Sequence, residues 1–228
     1  MDFVIHFADH KDPRIFTEIG EETLLRLASF FGQKVSPKMA PLVSIFFLLS
    51  QFIGPYNHIY HSRDLVSQFA GLLLCGITRI VTELSFAISN FIVESKFLCE
   101  LYYDHELIDA LVNLIHQRKD PSVVQNALFC LNNLGDQLNT DQAWGEYIRD
   151  FKLIEQLMNA LLMRNLDVKY GVIDLLYNLL RFDCEDEWGV RTAIQSHPNY
   201  QIIGDTDESE GPKMQSAVVA FMDLIMDI

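Results

Sequence analysis

The sequence has few of the features that indicate β-strands or a membrane span. No Asn-Gly or Asp-Gly pair occurs in its 228 residues, and runs that alternate polar with apolar side chains are scarce. The apolar run at residues 45–49 is bounded by Ser44 and Ser50 and is too short to cross a bilayer. Apolar residues instead recur three and four positions apart from end to end, which predicts an all-α fold.

Basic residues are also scarce in this chain. Its 17 lysines and arginines are outnumbered by 31 aspartates and glutamates, so the formal net charge is −14. Nucleic acid and anionic membrane surfaces would be repelled by this charge, which excludes them as the main partners. Basic peptides or proteins are the class of partner that the charge favours.

The cysteines give no sign of a disulfide framework. Cys75, Cys99, Cys130 and Cys184 lie far apart in the sequence, without a Cys-x-x-Cys pair. Thiols inside apolar helical patterns are typical of proteins in a reducing compartment. Residues 1–10 also lack the basic flank and apolar run of a signal peptide, so we expect the protein in the cytoplasm and nucleus.

No motif in the sequence indicates catalysis or a bound cofactor. His58 and His61 have a helical spacing, but no third metal ligand lies near them, so we expect solvated histidines. The acidic run at residues 205–210 lacks the glycine and the final glutamate of a calcium loop. No GxSxG motif, glycine-rich phosphate loop or catalytic Cys/His arrangement is present. We therefore expect neither an enzyme nor a cofactor nor a metal site.

An internal repeat organises the chain. An apolar helical pattern with an asparagine at its seventh position occurs three times, at residues 84–91, 127–134 and 172–179. Alignment of these segments places Asn90, Asn133 and Asn178 in register, 43 and 45 residues apart. A second apolar pattern occurs four times, at residues 23–31, 65–73, 107–115 and 153–161. A short helix followed by two longer ones cannot bury its own apolar faces, so stacked three-helix units are predicted.

Five such units fill the chain and predict a single domain, a right-handed α-solenoid. The predicted units span roughly residues 1–53, 54–93, 94–136, 137–182 and 183–228. The stretch 196–212 is polar and aperiodic, and we expect it to be irregular, with an acidic loop at residues 204–212.

The breaks between the second and third helices carry capping residues. Ser36 and Asp120 each directly precede a proline, which favours a helix start at that proline. Asp167 is predicted to cap the third helix of the fourth unit. Between the two long helices of the second unit, the break is little more than Gly76, which predicts a tight turn.

Three-helix units of this length resemble armadillo repeats, and within that family the third helices are most similar to those of importin-α. Importin-α carries an aromatic residue and, four positions later, an asparagine. Phe86 with Asn90 and Phe129 with Asn133 keep this spacing, with phenylalanine where the family has tryptophan. The resemblance covers nearly the whole chain from about Ile15 onward.

The flanking units keep the pattern in part. Phe47 is followed by Gln51 in place of asparagine, and Asp174 occupies the aromatic position before Asn178. Importin-α also has an acidic residue shortly after the asparagine. Glu94 and Asp136 stand at that place here.

The physical chemistry of these residues agrees with what the resemblance implies. Side chains four positions apart share one helix face. A carboxamide both donates and accepts, so it can pair with the backbone of any extended peptide. Aromatic faces can flank the aliphatic stems of Lys or Arg, and acidic residues can pair with their charged ends. The predicted peptide-binding residues are Phe47, Gln51, Phe86, Asn90, Glu94, Phe129, Asn133, Asp136, Asp174 and Asn178.

Two simpler interpretations stay open for these residues. An asparagine near a helix end is often a C-terminal cap, and a phenylalanine in an apolar run is usually part of the core. Asn132 next to Asn133 also leaves the register of the second row ambiguous.

The expected function is a peptide-binding adaptor that holds an extended basic segment, similar to a nuclear localisation signal, in nuclear protein import. The alternative is a structural armadillo scaffold for protein assembly. Importin-α begins with a basic segment that recruits importin-β. Residues 1–20 contain only Lys11 and Arg14 as basic residues, so we do not expect importin-β recruitment.

Overall fold

The computed structural model describes residues 21–32, 34–50, 63–94, 104–117, 119–138, 145, 148–149, 152–183, 185–205 and 210–226. All regular secondary structure within these ranges is helical. The chain divides into two compact units, Met1–Ala110 and Leu111–Ile228, with the boundary inside one helix. The two units are described in turn.

In unit 1 the described part of the chain forms helices joined by short breaks. They are α1 (Glu21–Phe31), a 3-10 turn (Pro37–Met39), α2 (Ala40–Ser50), α3 (Arg63–Leu73), α4 (Thr78–Glu94) and the start of α5 (His105–Gln117). Helix α1 packs against α3, and α2 packs against α4. Each helix therefore contacts the helix in the equivalent place of the next repeat, which is how repeat proteins build a continuous core.

Aromatic rings join the repeats of unit 1. The ring of Phe69 on α3 meets Phe31 of α1 edge-on, with centroids 5.7 Å apart. It also stacks on Phe91 of α4 at 6.4 Å. All three side chains are buried. Such pairs add directional packing to the apolar area that the rings bury.

Unit 2 is centred on one long helix. Its described helices, after the end of α5, are α6 (Pro121–Leu138), α7 (Leu153–Ala160), α8 (Leu166–Phe182), α9 (Val190–Ser196), α10 (Tyr200–Gly204) and α11 (Gly211–Met226). Helix α8 packs against α6 on one side and against α11 on another. The approach of α6 is close: a Cβ atom at Gly171 would lie 3.2 Å from Leu128 Cδ1. The third helices of successive repeats therefore stack directly within unit 2.

The predicted helix starts are correct at one position and wrong at another. Asp120 Oδ1 accepts the backbone N–H of Ser122 at 3.0 Å, as an N-terminal cap should, and the hydrogen bonds from Ser122 lower the pKa of this carboxyl. Helix α8, however, is capped by Asn165, whose Oδ1 accepts the N–H of Val168 at 3.0 Å. Asp167 lies inside the first turn, because the extended backbone needed at a cap falls at Asn165.

The turn at Gly76, the stretch 196–212 and the predicted cap at Ser36 can also be compared with the structure. Gly76 has a φ of +73° and forms the tight turn expected before α4, a conformation that glycine adopts without strain. The stretch 196–212 is more ordered than predicted, since it contains α10 and the start of α11. Ser36 also differs: it precedes a 3-10 turn and makes no capping bond through its side chain.

A buried lysine holds both sides of the acidic loop onto α8. Lys169 is 8% exposed, and its Nζ donates to the carbonyl of Asp205 at 2.9 Å. The same ammonium forms an ion pair with Glu210 at 3.1 Å. A buried ammonium is stable only when such partners replace its water, so this contact fixes the two ends of the loop.

None of the described helices is long and apolar enough to span a membrane.

Leu176 offers a test of the α8 core. Its side chain is fully buried in the middle of α8, so Leu176→Ala should lower the free energy of unfolding by about 2–5 kcal/mol through lost burial and a residual cavity. Chemical denaturation followed by circular dichroism measures this change. Leu162→Ala is the matched control, because Leu162 is 51% exposed and its truncation should cost far less. Equal losses for the two variants would contradict the packing described for α8.

Candidate functional site

Two of the predicted aromatic residues are exposed on third helices. Phe129 of α6 is 50% exposed, and Phe86 of α4 in unit 1 is 43% exposed. Their helical neighbours Leu128 and Ala87 are buried, so each ring lies on the face away from the core. A large apolar side chain left in water is the less common arrangement, and the interpretation of these two rings as core residues does not hold.

Four polar side chains form one cluster across the α6–α8 contact. Phe129 is three positions before one of them, Asn132, on α6, a spacing that places the ring beside the cluster on the same helix face. The Asn–Asp cluster consists of Asn132 and Asp136 on α6 and Asp174 and Asn178 on α8. Asn132 Nδ2 donates to Asp174 Oδ2. Asn178 Nδ2 donates to Asn132 Oδ1 at 2.8 Å and to Asp136 Oδ1 at 3.3 Å. The bonds therefore form a chain in which Asn132, the buried member and the hub of the cluster, binds Asp174 and Asn178, and Asn178 binds Asp136.

Burial makes the charges of this cluster unfavourable. Partial burial is the main cause that raises the pKa of Asp174, and the hydrogen bond from Asn132 and the charge of Lys213 offset it only in part. Burial also raises the pKa of Asp136, and the charge of Asp174 adds to that effect, whereas the charge of Arg181 offsets it in part. Within the described part of the chain, neither carboxylate has an ion-pair partner at contact distance. A ligand cation placed between the two carboxylates would stabilise the charged form of each.

Two cation–aromatic contacts lie on the exposed side of α8. Lys213 of α11 places its Nζ 4.1 Å from the ring centre of Tyr170. Arg181 lies over the ring of Tyr177 at 5.9 Å. Tyr170 and Asp174 are four positions apart and share a helix face, so the Lys213 contact borders the Asn–Asp cluster.

The remaining predicted residues are placed as follows. Asn90 and Asn133 are half-buried on α4 and α6. Gln51 and the side chains of Phe47 and Glu94 lie outside the described residues. Within unit 2, the structure brings Asp136, Asp174 and Asn178 together.

Sequence reasoning missed the residue at the centre of the cluster. The repeat alignment placed Asn133 in the row, yet Asn132 is the buried partner of Asp174 and Asn178. Successive helical residues point about 100° apart, so a one-residue ambiguity in register moves a side chain to another face. The polar Asn132-Asn133 pair within an apolar run was the sequence feature that could have indicated Asn132. No sequence feature indicated the contact between Tyr170 and Lys213, because it joins helices of different repeats.

Metal ligation finds no support in the described ranges, where no group of three or more His, Cys, Asp or Glu side chains is arranged to hold an ion.

No protein-family model matches the sequence, and neither does any curated protein. The fold, by contrast, is shared with solved structures, of which 52 chains match. A computationally designed armadillo repeat protein made for modular peptide recognition has a TM-score of 0.69 at 14% identity. That match covers 97% of this chain and 90% of the designed one.

Two further designed armadillo repeat proteins match at similar levels. One has a TM-score of 0.67 at 14% identity, covering 92% of this chain and 85% of its own. The other, in complex with the peptide (KR)4, has a TM-score of 0.63 at 16% identity over 90% and 85% of the two chains. The likeness confirms the predicted fold class, an all-α solenoid of the armadillo type. It does not single out importin-α.

Truncating the hub of the cluster should destabilise unit 2. Asn132→Ala removes the donor to Asp174 and the acceptor of Asn178, so we expect a loss of about 1–3 kcal/mol in the free energy of unfolding. Urea denaturation measures it. Gln125→Ala, at an exposed position of the same helix, is the control and should change stability by roughly 0.5 kcal/mol or less. Equal effects would mean that the cluster does not join α6 to α8.

Removing one charge of the cluster should stabilise the protein at neutral pH. The pKa of Asp136 is raised in the folded state. Its contribution to the free energy of unfolding is therefore fully present below the unfolded-state pKa of about 3.9 and is lost as pH rises through the folded-state pKa. Asp136→Asn should therefore raise the melting temperature at pH ~7, and the gain should shrink toward pH ~4.

Asp120 provides a control of opposite sign for this pH dependence. Its pKa is lowered by the hydrogen bonds from Ser122, so its contribution is present above the unfolded pKa and is lost as pH falls. Asp120→Asn should thus lower the melting temperature at neutral pH. Thermal melts of both variants across this range check the two signs, and a loss of stability for Asp136→Asn at neutral pH would contradict the electrostatic account of the cluster.

Proposed function

We propose that this chain is a binding scaffold that holds an extended protein segment along its exposed third helices, with a basic side chain at the Asn–Asp cluster. The observation that carries the proposal is the exposed ring of Phe129 beside two half-buried or exposed carboxylates that lack an ion-pair partner within the described residues. An apolar face next to uncompensated negative charge suits the long stem and charged end of Lys or Arg.

The hydrogen bonds within the cluster assign different tasks to its members. Asn178 Nδ2 donates to Asn132 and to Asp136, and Asn132 Nδ2 donates to Asp174. These two carboxamides thus orient the carboxylates, and among the hydrogen bonds described within the cluster none uses Asn178 Oδ1, which can accept a peptide N–H. Asn133, half-buried one position further on, is the candidate for the backbone contact that importin-α asparagines imply.

The comparisons favour the broader of the two expected functions. The matched structures have an armadillo-type fold, which supports a scaffold for protein or peptide binding. One of these designed proteins is in complex with the basic peptide (KR)4. That ligand belongs to the designed protein, and it supports the basic-segment proposal for this chain only through the shared fold. Nuclear import, with its location in cytoplasm and nucleus, stays a prediction that the comparisons do not favour over general protein assembly.

The decisive experiment removes the negative charges of Asp136 and Asp174 and keeps the shapes of the two side chains. In the double variant Asp136→Asn/Asp174→Asn, a short extended peptide with one central Lys should bind about tenfold or more weakly, because charge-assisted contacts are lost. Fluorescence anisotropy with a labelled peptide measures the dissociation constant at low salt. Binding to the wild type should also weaken as salt is raised, since part of the attraction is between exposed charges.

The control for this experiment is Glu155→Gln/Glu185→Gln, which removes the same charge from exposed positions outside the α6–α8 face. It should leave the affinity within about twofold, as expected for distant, screened charges. If wild type does not bind the Lys peptide at low salt, or if both double variants bind alike, the proposal for a basic side chain at this site is wrong. If the chain then binds a folded protein but not the peptide, the result supports the alternative function, a scaffold for protein assembly.

A further inference from the structure

Charges of opposite sign lie close together on the exposed part of helix α8. The carboxylates of Asp136 on α6 and Asp174 on α8 lie at the contact between these two helices. One turn before Asp174, on the same face of α8, the ring of Tyr170 has the ammonium of Lys213 from α11 at 4.1 Å from its centre. A segment that crosses the exposed third helices therefore meets negative charge at one step and positive charge at the next.

Lys213 is available to a ligand, whereas the nearby Lys169 is not. Lys213 is exposed, and its ammonium lies 4.1 Å from the ring centre of Tyr170. Lys169 is buried and already bonded to Glu210 and the carbonyl of Asp205, so its charge is compensated within the protein. Lys213 is thus the cation on this side of α8 that an incoming side chain would meet.

A cation in this place acts on any basic segment bound at the Asn–Asp cluster. Its charge already reaches Asp174, where it favours the ionised carboxylate. The same charge would repel a second Lys or Arg placed over Tyr170, the position where a cation–π contact would otherwise hold that residue. The internal lysine occupies the place that a consecutive basic residue would need.

We propose that Lys213 sets the charge pattern of the ligand: the site takes a segment with a basic side chain at the Asn–Asp cluster and an acidic side chain two or three residues away, at Lys213. Packed helices are ~8–10 Å apart and an extended chain advances ~3.3 Å per residue, which gives that spacing. The inference rests on the proposed function, because it concerns the same bound segment.

A pair of peptides that differ at one residue tests this pattern. In a neutral extended background, one peptide carries Lys-x-x-Asp and the other Lys-x-x-Lys, and the reversed orders are included because either chain direction is compatible with the site. The net charge of −14 favours the doubly basic peptide at long range, so any preference for the mixed peptide has a local origin. Anisotropy titrations against the full chain give both dissociation constants.

Reversing the charge of Lys213 should reverse the preference. Wild type should bind one order of the Lys/Asp peptide at least as tightly as the doubly basic one. In Lys213→Glu, the ratio of the two affinities should shift by about tenfold toward the doubly basic peptide, as expected for gained and lost contacts between exposed charges. Lys119→Glu, an exposed position ahead of α6 with the same charge change, should shift the ratio less than about twofold.

The outcomes separate this inference from the proposed function. If peptides bind but the ratio shifts equally in Lys213→Glu and Lys119→Glu, the specificity role of Lys213 is overturned while the basic site stands. If neither peptide binds wild type, both proposals are overturned. Should Lys213→Glu fold poorly by circular dichroism, Lys213→Gln replaces it with an expected shift of about threefold, and an unchanged ratio there overturns the inference as well.

Discussion

Asn132 lies in the contact between α6 and α8, and a buried carboxamide needs hydrogen-bond partners inside the protein. One of its N–H groups donates to Asp174, and its oxygen accepts from Asn178, which in turn donates to Asp136. This chain of bonds links all four members of the cluster. The stacking of third helices therefore does more than bury apolar area, because it also fixes two carboxylates beside the exposed ring of Phe129.

The treatment of buried charge differs between two parts of unit 2. Lys169 is compensated within the protein by Glu210, so it acts as a structural tie for the acidic loop. Asp136 and Asp174 receive hydrogen bonds from neutral carboxamides, and burial leaves their charged forms unfavourable. Lys213 and Arg181 compensate these carboxylates only in part, which lowers stability, and a ligand cation would offset that loss. This contrast is the physical reason why we propose a binding site at the cluster and assign the Lys169 contacts to the fold.

The sequence was sufficient to predict the fold class but only part of the site. Apolar periodicity depends on burial along each helix, so it identified α4, α6 and α8 and the capping role of Asp120. The choice between Asn132 and Asn133 depends on the rotation of α6 against α8, which no local pattern encodes. The cap at Asn165 and the helix α10 likewise depend on tertiary packing. The contact of Lys213 with Tyr170 joins separate repeats, so it required the structure.

The charge of the whole chain and the charges at the site act over different distances. A net charge of −14 attracts basic segments through water, but salt screens this attraction beyond a Debye length of about 8 Å at physiological ionic strength. It therefore affects how often such segments arrive and gives little discrimination among them. Discrimination must come from contacts shorter than the screening length. In the charge pattern that we propose, Lys213 acts against the overall charge at one position, so the affinity of a basic segment would depend on where its basic residues fall.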